Sequence, residues 1–293
     1  MATKRRAIKV QTDMVEMNWF QKMRQIVSDV ARRKNNFANQ DYELNRERVL
    51  NEDTPFQVKE AYKALRTNLI FSLPTVGCKK IIVTSALSSE GKSTNCLNIA
   101  ISFAEMNAKV LLIDCDLRRP NVANLLDVQN APGLSDYLVG LNSVDEIVHK
   151  SKYDNLSYIA AGSIPPNPSE LLSSENMKNL IDKLEEQYDY IFLDTPPTNV
   201  VIDTVVVSRY VHGIVMIALQ NSTDKETLRH SLNQLNFVGA KVIGFVLNGV
   251  VWGSKNSYKT GSKSKYKRRK DPIKSYKDIY KGYGKKNRIN EYK

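Results

Sequence analysis

Long apolar runs are missing from this sequence. The most apolar late stretch, VVVSRYVHGIVMIAL, carries Arg209 and His212 and is too short on either side of them to span a bilayer. The start, MATKRRAIKV, is charged and no apolar stretch follows it, which predicts no secretory signal. Cysteine is scarce as well: Cys78, Cys96 and Cys115 are the only three, an unpaired set that excludes a disulfide framework and predicts a reducing, cytoplasmic setting. No long-period repeat is visible. The bulk of the chain also lacks net charge. Of 43 basic and 31 acidic residues, 15 and 3 fall between Gly253 and Lys293, so the other 252 residues hold 28 of each and the whole balance of +12 belongs to the end of the chain. That end is poor in aliphatics and rich in Lys, Gly, Ser and Asn, so it cannot bury enough surface to offset its conformational entropy and is predicted to be disordered.

What is present is β-branched and regularly spaced. Six short runs, KKIIVTSA (79–86), KVLLID (109–114), LSYIAA (156–161), YDYIFLD (188–194), GIVMIAL (213–219) and KVIGFVLNGV (241–250), are almost continuously apolar, as strands covered on both faces of a parallel sheet are. Helix-length segments lie between them. STNCLNIAISFAEMN places Leu97, Ala100, Ile101 and Ala104 at i, i+3, i+4 and i+7, and ENMKNLIDKLEEQ and KETLRHSLNQLNF carry similar stripes. The alternation predicts an α/β fold, a doubly wound, mostly parallel sheet. Upstream, FQVKEAYKALRTNLIFS reads as a helix, and MVEMNWFQKMRQIVSDVARR as a second, amphipathic one whose Met17, Phe20, Met23 and Val27 either pack on the body or dock a partner. The polar stretch NNFANQDYELNRERVLNED between them reads as a linker. The expected division is a helical leader and linker over 1–53, a P-loop domain over 54–252 and a basic tail over 253–293.

Directly after the first strand comes Ala86-Leu-Ser-Ser-Glu-Gly-Lys-Ser93, the P-loop pattern with Ala86 in place of its first glycine. A strand, a tight turn and a helix N-terminus together aim successive backbone N–H groups and the helix dipole at a polyphosphate. The expected nucleotide contacts are Ser88, Ser89, Glu90, Gly91, Lys92, Ser93 and Thr94, with Lys92 on the β- and γ-phosphates and Ser93 on Mg²⁺. Two further strand ends carry carboxylates: Asp114 and Asp116 in KVLLIDCDLRRP, and Asp194 in YDYIFLDTPP. Singly, such residues serve as often as helix caps. Three of them converging at the crevice beside a P-loop suit a hydrated Mg²⁺ and a nucleophile that must lose a proton.

These three segments resemble the Walker A, Walker A′ and Walker B motifs of the bacterial tyrosine kinases of capsule and exopolysaccharide synthesis. Asp114, Asp116 and Arg118 match apolar-DxDxR, and Asp194, Pro196 and Pro197 match apolar-DxPP. GSIPPNPSELLSS (162–174) is similar to a further family segment, and a tyrosine cluster near the C-terminus is itself a family feature. The resemblance covers roughly residues 54–293. It implies an ATP- and Mg²⁺-dependent, autophosphorylating protein-tyrosine kinase in which Asp116 and Asp194 bind the metal and Asp114 takes the tyrosine proton, the roles of Asp114 and Asp116 being exchangeable on this reading. Asn248 is either an adenine contact or a turn residue. The acceptors would be Tyr258, Tyr266, Tyr276, Tyr280, Tyr283 and Tyr292, modified in trans. Each phosphate adds about −1.5 to −2, so six would nearly cancel the basic tail. Implied partners are a separate membrane adaptor that recruits the chain to the inner face of the membrane, further copies of the chain in a ring, a cognate tyrosine phosphatase, and polysaccharide-synthesis enzymes as substrates.

The family's ring-forming E-x2-R-x2-R helix stands here as Glu60, Lys63 and Arg66. Lysine lacks the planar fork of arginine, and the spacing also suits a local Glu60–Lys63 pair. Two other readings exist. A MinD- or ParA-like partitioning ATPase shares the carboxylates but carries a signature lysine where this chain has Leu87. A binding module would use its basic, tyrosine-rich tail on nucleic acid or an anionic membrane surface.

Overall fold

The computed structural model describes residues 45–73 and 76–250. The leader segment with Met17, Phe20, Met23 and Val27 and the six tail tyrosines lie outside the described residues. A seven-stranded sheet in the order β3-β4-β2-β5-β1-β6-β7 forms the centre. Its strands are β1 (Lys79–Ser85), β2 (Val110–Asp114), β3 (His149–Lys150), β4 (Leu156–Ile159), β5 (Tyr190–Asp194), β6 (Gly213–Leu219) and β7 (Val242–Asn248). Every pairing is parallel except that of β3 with β4. All six apolar runs are therefore strands. The two-residue β3 escaped prediction because it is too short to carry a period.

Among the described residues four helices of ten residues or more accompany the sheet: α1 (Phe56–Ser72), α2 (Lys92–Ala104), α3 (Glu175–Leu184) and α4 (Lys225–Phe237). Alternate strand residues feed two separate cores, because successive side chains point to opposite faces. Ile81, Val83, Leu112 and Phe192 join Leu97 and Phe103 of α2 on one face. Ile82, Leu111, Ile113, Ile191 and Leu193 join Met177, Leu180, Ile181 and Leu184 of α3 and Leu235 of α4 on the other. Each Leu- or Phe-sized side chain so buried contributes about 1.5–3 kcal/mol. Phe103 anchors the first core, with its ring centroid 4.5 Å from that of Tyr190 and 5.2 Å from that of Phe192.

Helix α2 is more enclosed than its stripe implied, since every residue except Thr94 is buried. The cover is α1, whose Tyr62 hydroxyl donates to Asn95 Oδ1 (2.9 Å) and accepts from Asn98 Nδ2 (3.1 Å). Residues 45–53, read from composition as linker, also lie on this helix. Val49 and Leu50 are buried in the first core, the Leu50 N–H donates to Asn98 Oδ1 (2.8 Å), and Asn98 Nδ2 donates to the Arg48 carbonyl (3.0 Å). A polar average concealed two apolar residues that matter for packing. No helix among the described residues is long and apolar enough to cross a membrane.

Candidate active site

The turn from β1 into α2 holds its shape through residues on both sides of it. Ser89 (φ 65°) and Gly91 (φ 87°) occupy the left-handed region, and glycine suits the second position because its φ strains other residues and a Cβ there would displace the Asn248 amide, 2.3 Å away. Ser88 is half-buried and Ser89 exposed on the rim, while Thr94 is half-buried in the first turn of α2. Glu90 faces inward. Its Oε2 accepts the Leu87 N–H (2.8 Å), its Oε1 accepts the Thr223 hydroxyl, and its backbone carbonyl accepts Asn248 Nδ2 (2.9 Å). Asn248 Oδ1 accepts the Gly249 N–H (2.9 Å), so in this chain the Asn248 amide braces the loop and its own turn.

The loop delivers Lys92 and Ser93 to the ends of β2 and β5, where Asp114 and Asp194 are paired in register. Lys92 Nζ lies 2.8 Å from Asp116 Oδ2, 3.4 Å from each oxygen of Asp194 and 3.1 Å from Ser93 Oγ. Burial opposes the Lys92 charge, but the Asp116 and Asp194 carboxylates outweigh it and hold the ammonium above the usual lysine range. Burial pushes Asp114 up to about 8, with the charges of Asp194 and Asp116 adding to the shift. Burial likewise pushes Asp194 up to about 6 against the pull of Lys92 and the Ser93 hydroxyl. Asp114 is the most occupied of the three, since Oδ1 accepts the Asp116 N–H (3.1 Å) and Oδ2 the N–H groups of Asn121 and Val122 (both 3.0 Å). Asp116 is different: Oδ1 accepts the Arg119 N–H (2.9 Å), whereas buried Oδ2 has no aligned hydrogen-bond donor and only the ion contact with Lys92.

Asp116 Oδ2, held only by a lysine that a phosphate can draw away, beside a second carboxylate and a hydroxyl is an all-oxygen donor set of the kind Mg²⁺ takes, with its remaining positions left to phosphate and water. Among the described residues no cluster of three or more His, Cys, Asp or Glu side chains is arranged to ligate a metal by itself. The donors present fit Mg²⁺ as an ion shared with a polyphosphate.

A second buried ion pair stands just outside this cluster. Arg118 Nε and Nη2 donate to Asp203 Oδ2 (2.7 Å) and Oδ1 (3.0 Å), and Nη2 also donates to Ser169 Oγ (3.0 Å), whose hydroxyl donates to Asp203 Oδ1 (2.6 Å). Sequence reasoning missed Asp203. The signal was there, because a lone Asp in the run VVIDTVVV must find a cation if it is buried.

This geometry has known counterparts. A family model described as an AAA domain matches residues 78–237. Tyrosine-protein kinase YwqD of Bacillus subtilis is 37% identical over 190 residues, covering 65% of this chain and 80% of the relative. The kinase domain of Escherichia coli tyrosine kinase ETK superposes with a TM-score of 0.65 at 33% identity, covering 70% of this chain and 80% of that one. The chain belongs to the bacterial tyrosine kinase family. The crystal structure of the chimeric protein CapA2B2 is a further neighbour, with a TM-score of 0.64 at 30% identity over 67% of this chain and 86% of that one. As a family member the chain is a protein-tyrosine kinase on a nucleotide-binding P-loop fold. MinD of Pyrococcus horikoshii, at 20% identity and a TM-score of 0.51, shares the fold alone, so the partitioning-ATPase reading falls away.

Of the other expected site residues, Glu60 and Lys63 pair with each other on α1 (2.9 Å), and Arg66 Nη1 donates to the Ser102 carbonyl of α2. Tyr258, Tyr266, Tyr276, Tyr280, Tyr283 and Tyr292 lie outside the described residues.

Proposed function

We propose that this kinase uses MgATP to phosphorylate the tyrosines of its own C-terminal segment, one copy acting on another, and that it serves capsule or exopolysaccharide synthesis. The observation that carries the reading is the convergence of Lys92 and Ser93 with Asp116 and Asp194 at one end of the sheet. The backbone of Ser88 to Ser93 and the hydroxyl of Thr94 hold the phosphates. Lys92 leaves its carboxylate partners for the β- and γ-phosphates, and Ser93, Asp116 and Asp194 hold Mg²⁺, which when bound neutralises charge on the transferring phosphoryl group. The tyrosine oxygen attacks the γ-phosphorus as the bond to ADP breaks, and its proton passes to Asp114. In a second assignment Asp116, whose Oδ2 is released when Lys92 moves to the phosphates, takes the proton and Asp114 holds the loop from Asp116 to Val122. The domain performing this is the P-loop domain over 54–252, with Val49 and Leu50 of the preceding stretch packed onto it, between the helical leader and the basic tail.

The remaining elements of the proposal concern assembly. A separate membrane adaptor recruits and activates the chain at the inner face of the membrane, copies associate through the face bearing Glu60, Lys63 and Arg66, a phosphatase reverses the modification, and polysaccharide-synthesis enzymes are further substrates. Phosphorylation lowers the charge of the basic segment and releases the copies. Mass spectrometry after incubation with MgATP, with and without an adaptor peptide, tests the core of this. Phosphate on several of the six tail tyrosines, absent in Asp114→Asn or Asp116→Asn according to which is the base, is the expected result. An unlabelled tail under both conditions overturns it.

A further inference from the structure

We propose that Arg118, Asp203 and Ser169 form a clamp that positions the incoming tyrosine, a specificity role distinct from nucleotide binding; the inference rests on the tyrosine-kinase reading. The strand order divides the mouth of the site. The P-loop follows β1, and its braces, Thr223 and Asn248, follow β6 and belong to β7. The nucleotide is thus served by the β1-β6-β7 side. An acceptor attacking in line must approach opposite the leaving ADP, and the segments on that side follow β5, β2 and β4.

The clamp joins one residue from each of those three segments. Arg118 follows β2, Ser169 follows β4 in the single-turn helix Pro168–Leu172, and Asp203 follows β5 in the single-turn helix Asp203–Val207. Asp203 is completely buried, and its two oxygens meet the guanidinium as a fork, the geometry that best fixes orientation. The Ser169 hydroxyl both donates and accepts within the pair. The Asp203 segment has anchors of its own, because the Thr204 hydroxyl donates to the Pro196 carbonyl (2.6 Å), which also accepts the Thr84 hydroxyl (2.9 Å). Ser169 is therefore a point at which the segment after β4, also held at Gly162 and Ser163, is tied to the Asp203 frame. Pro165-Pro166 and Pro196-Pro197 stiffen the two facing stretches, and each bears one exposed apolar side chain, Ile164 at 69% and Ile202 at 64% exposure, available to residues flanking the tyrosine.

The test uses the full chain, a random glutamate–tyrosine copolymer as acceptor, and a fluorescent ATP analogue for nucleotide affinity. Ser169→Ala leaves the Arg118–Asp203 pair intact. It is expected to raise the copolymer KM about 3- to 10-fold, the equivalent of roughly one hydrogen bond, to lower phosphotyrosine formed per ADP released, and to leave nucleotide affinity within about twofold. Ser169→Thr, which keeps the hydroxyl, should restore the ratio, and Ser169→Cys serves as the second variant if the alanine form folds poorly. Nucleotide affinity falling in step with phosphotyrosine formation would mean a merely structural role and overturn the clamp, as would an unchanged ratio. Wild-type protein that labels neither the copolymer nor itself would instead sink the kinase reading on which the clamp depends.

Discussion

Two buried groups of opposite charge sit a few residues apart, and they are built differently. In the Arg118–Asp203 pair both carboxylate oxygens are taken, by a planar fork and by the Ser169 hydroxyl. The one ammonium of Lys92 faces three carboxylates, Asp114, Asp116 and Asp194, and burial raises Asp114 and Asp194 above their ordinary range against its pull. A satisfied pair has one arrangement and keeps it, which suits a brace. An unbalanced group is stabilised by whatever brings the missing charge, and perturbed ionisation of this kind marks sites that act on a ligand.

Breaking the unbalanced group should have the largest effect. Lys92→Met removes the cation that meets the phosphates, and phosphotyrosine formation is expected to fall by about 10²–10³-fold or more, as when a preorganised donor to transition-state charge is lost; labelling with MgATP measures it. Breaking the balanced pair should instead show in stability. Arg118→Met leaves Asp203 buried without its fork, a loss of about 3–5 kcal/mol in urea unfolding, while Arg118→Met combined with Asp203→Leu should recover most of it.

The comparison sharpens further with pH. Asp114 and Asp194 are raised to about 8 and about 6 in the folded protein, above the value near 4 of an unfolded chain, so between those limits the native state holds protons that the unfolded state does not. Their contribution is complete below about pH 4 and is lost as pH climbs through about 6 and then about 8. Without nucleotide and in chelator, the melting temperature should decline by roughly 10–20 °C from pH 5 to 8.5, for a differential protonation equivalent to about 5 kcal/mol at about 2–4 °C per kcal/mol in a domain of this size. Asp114→Asn should flatten most of the slope. The smallest effect belongs at the surface: Glu60→Ala breaks the exposed pair with Lys63 and should change the stability of the isolated chain by less than about 0.5 kcal/mol.

Most of the candidate site was legible as residues before it was visible as geometry. Lys92, Ser93, Asp114, Asp116 and Asp194 sit at strand ends beside a phosphate loop, and strand ends in a parallel sheet meet at one edge of it. What each does was less legible. That Glu90 and Asn248 also brace the loop was not legible, because hydrogen-bond partners 133 and 158 residues away leave no trace in local spacing. Val49 and Leu50 went unread for the same reason: their burial depends on α2 and Tyr153, not on their neighbours.

The sequence by itself determined the class of fold, the strands and long helices, the phosphate loop and the concentration of positive charge at one end, because these are local properties of spacing and composition. Tertiary structure alone decided which carboxylates are satisfied and which are not. That outcome depends on which chain-distant groups share a buried volume, and in such a volume one hydrogen bond more or less separates a brace from a reactive site.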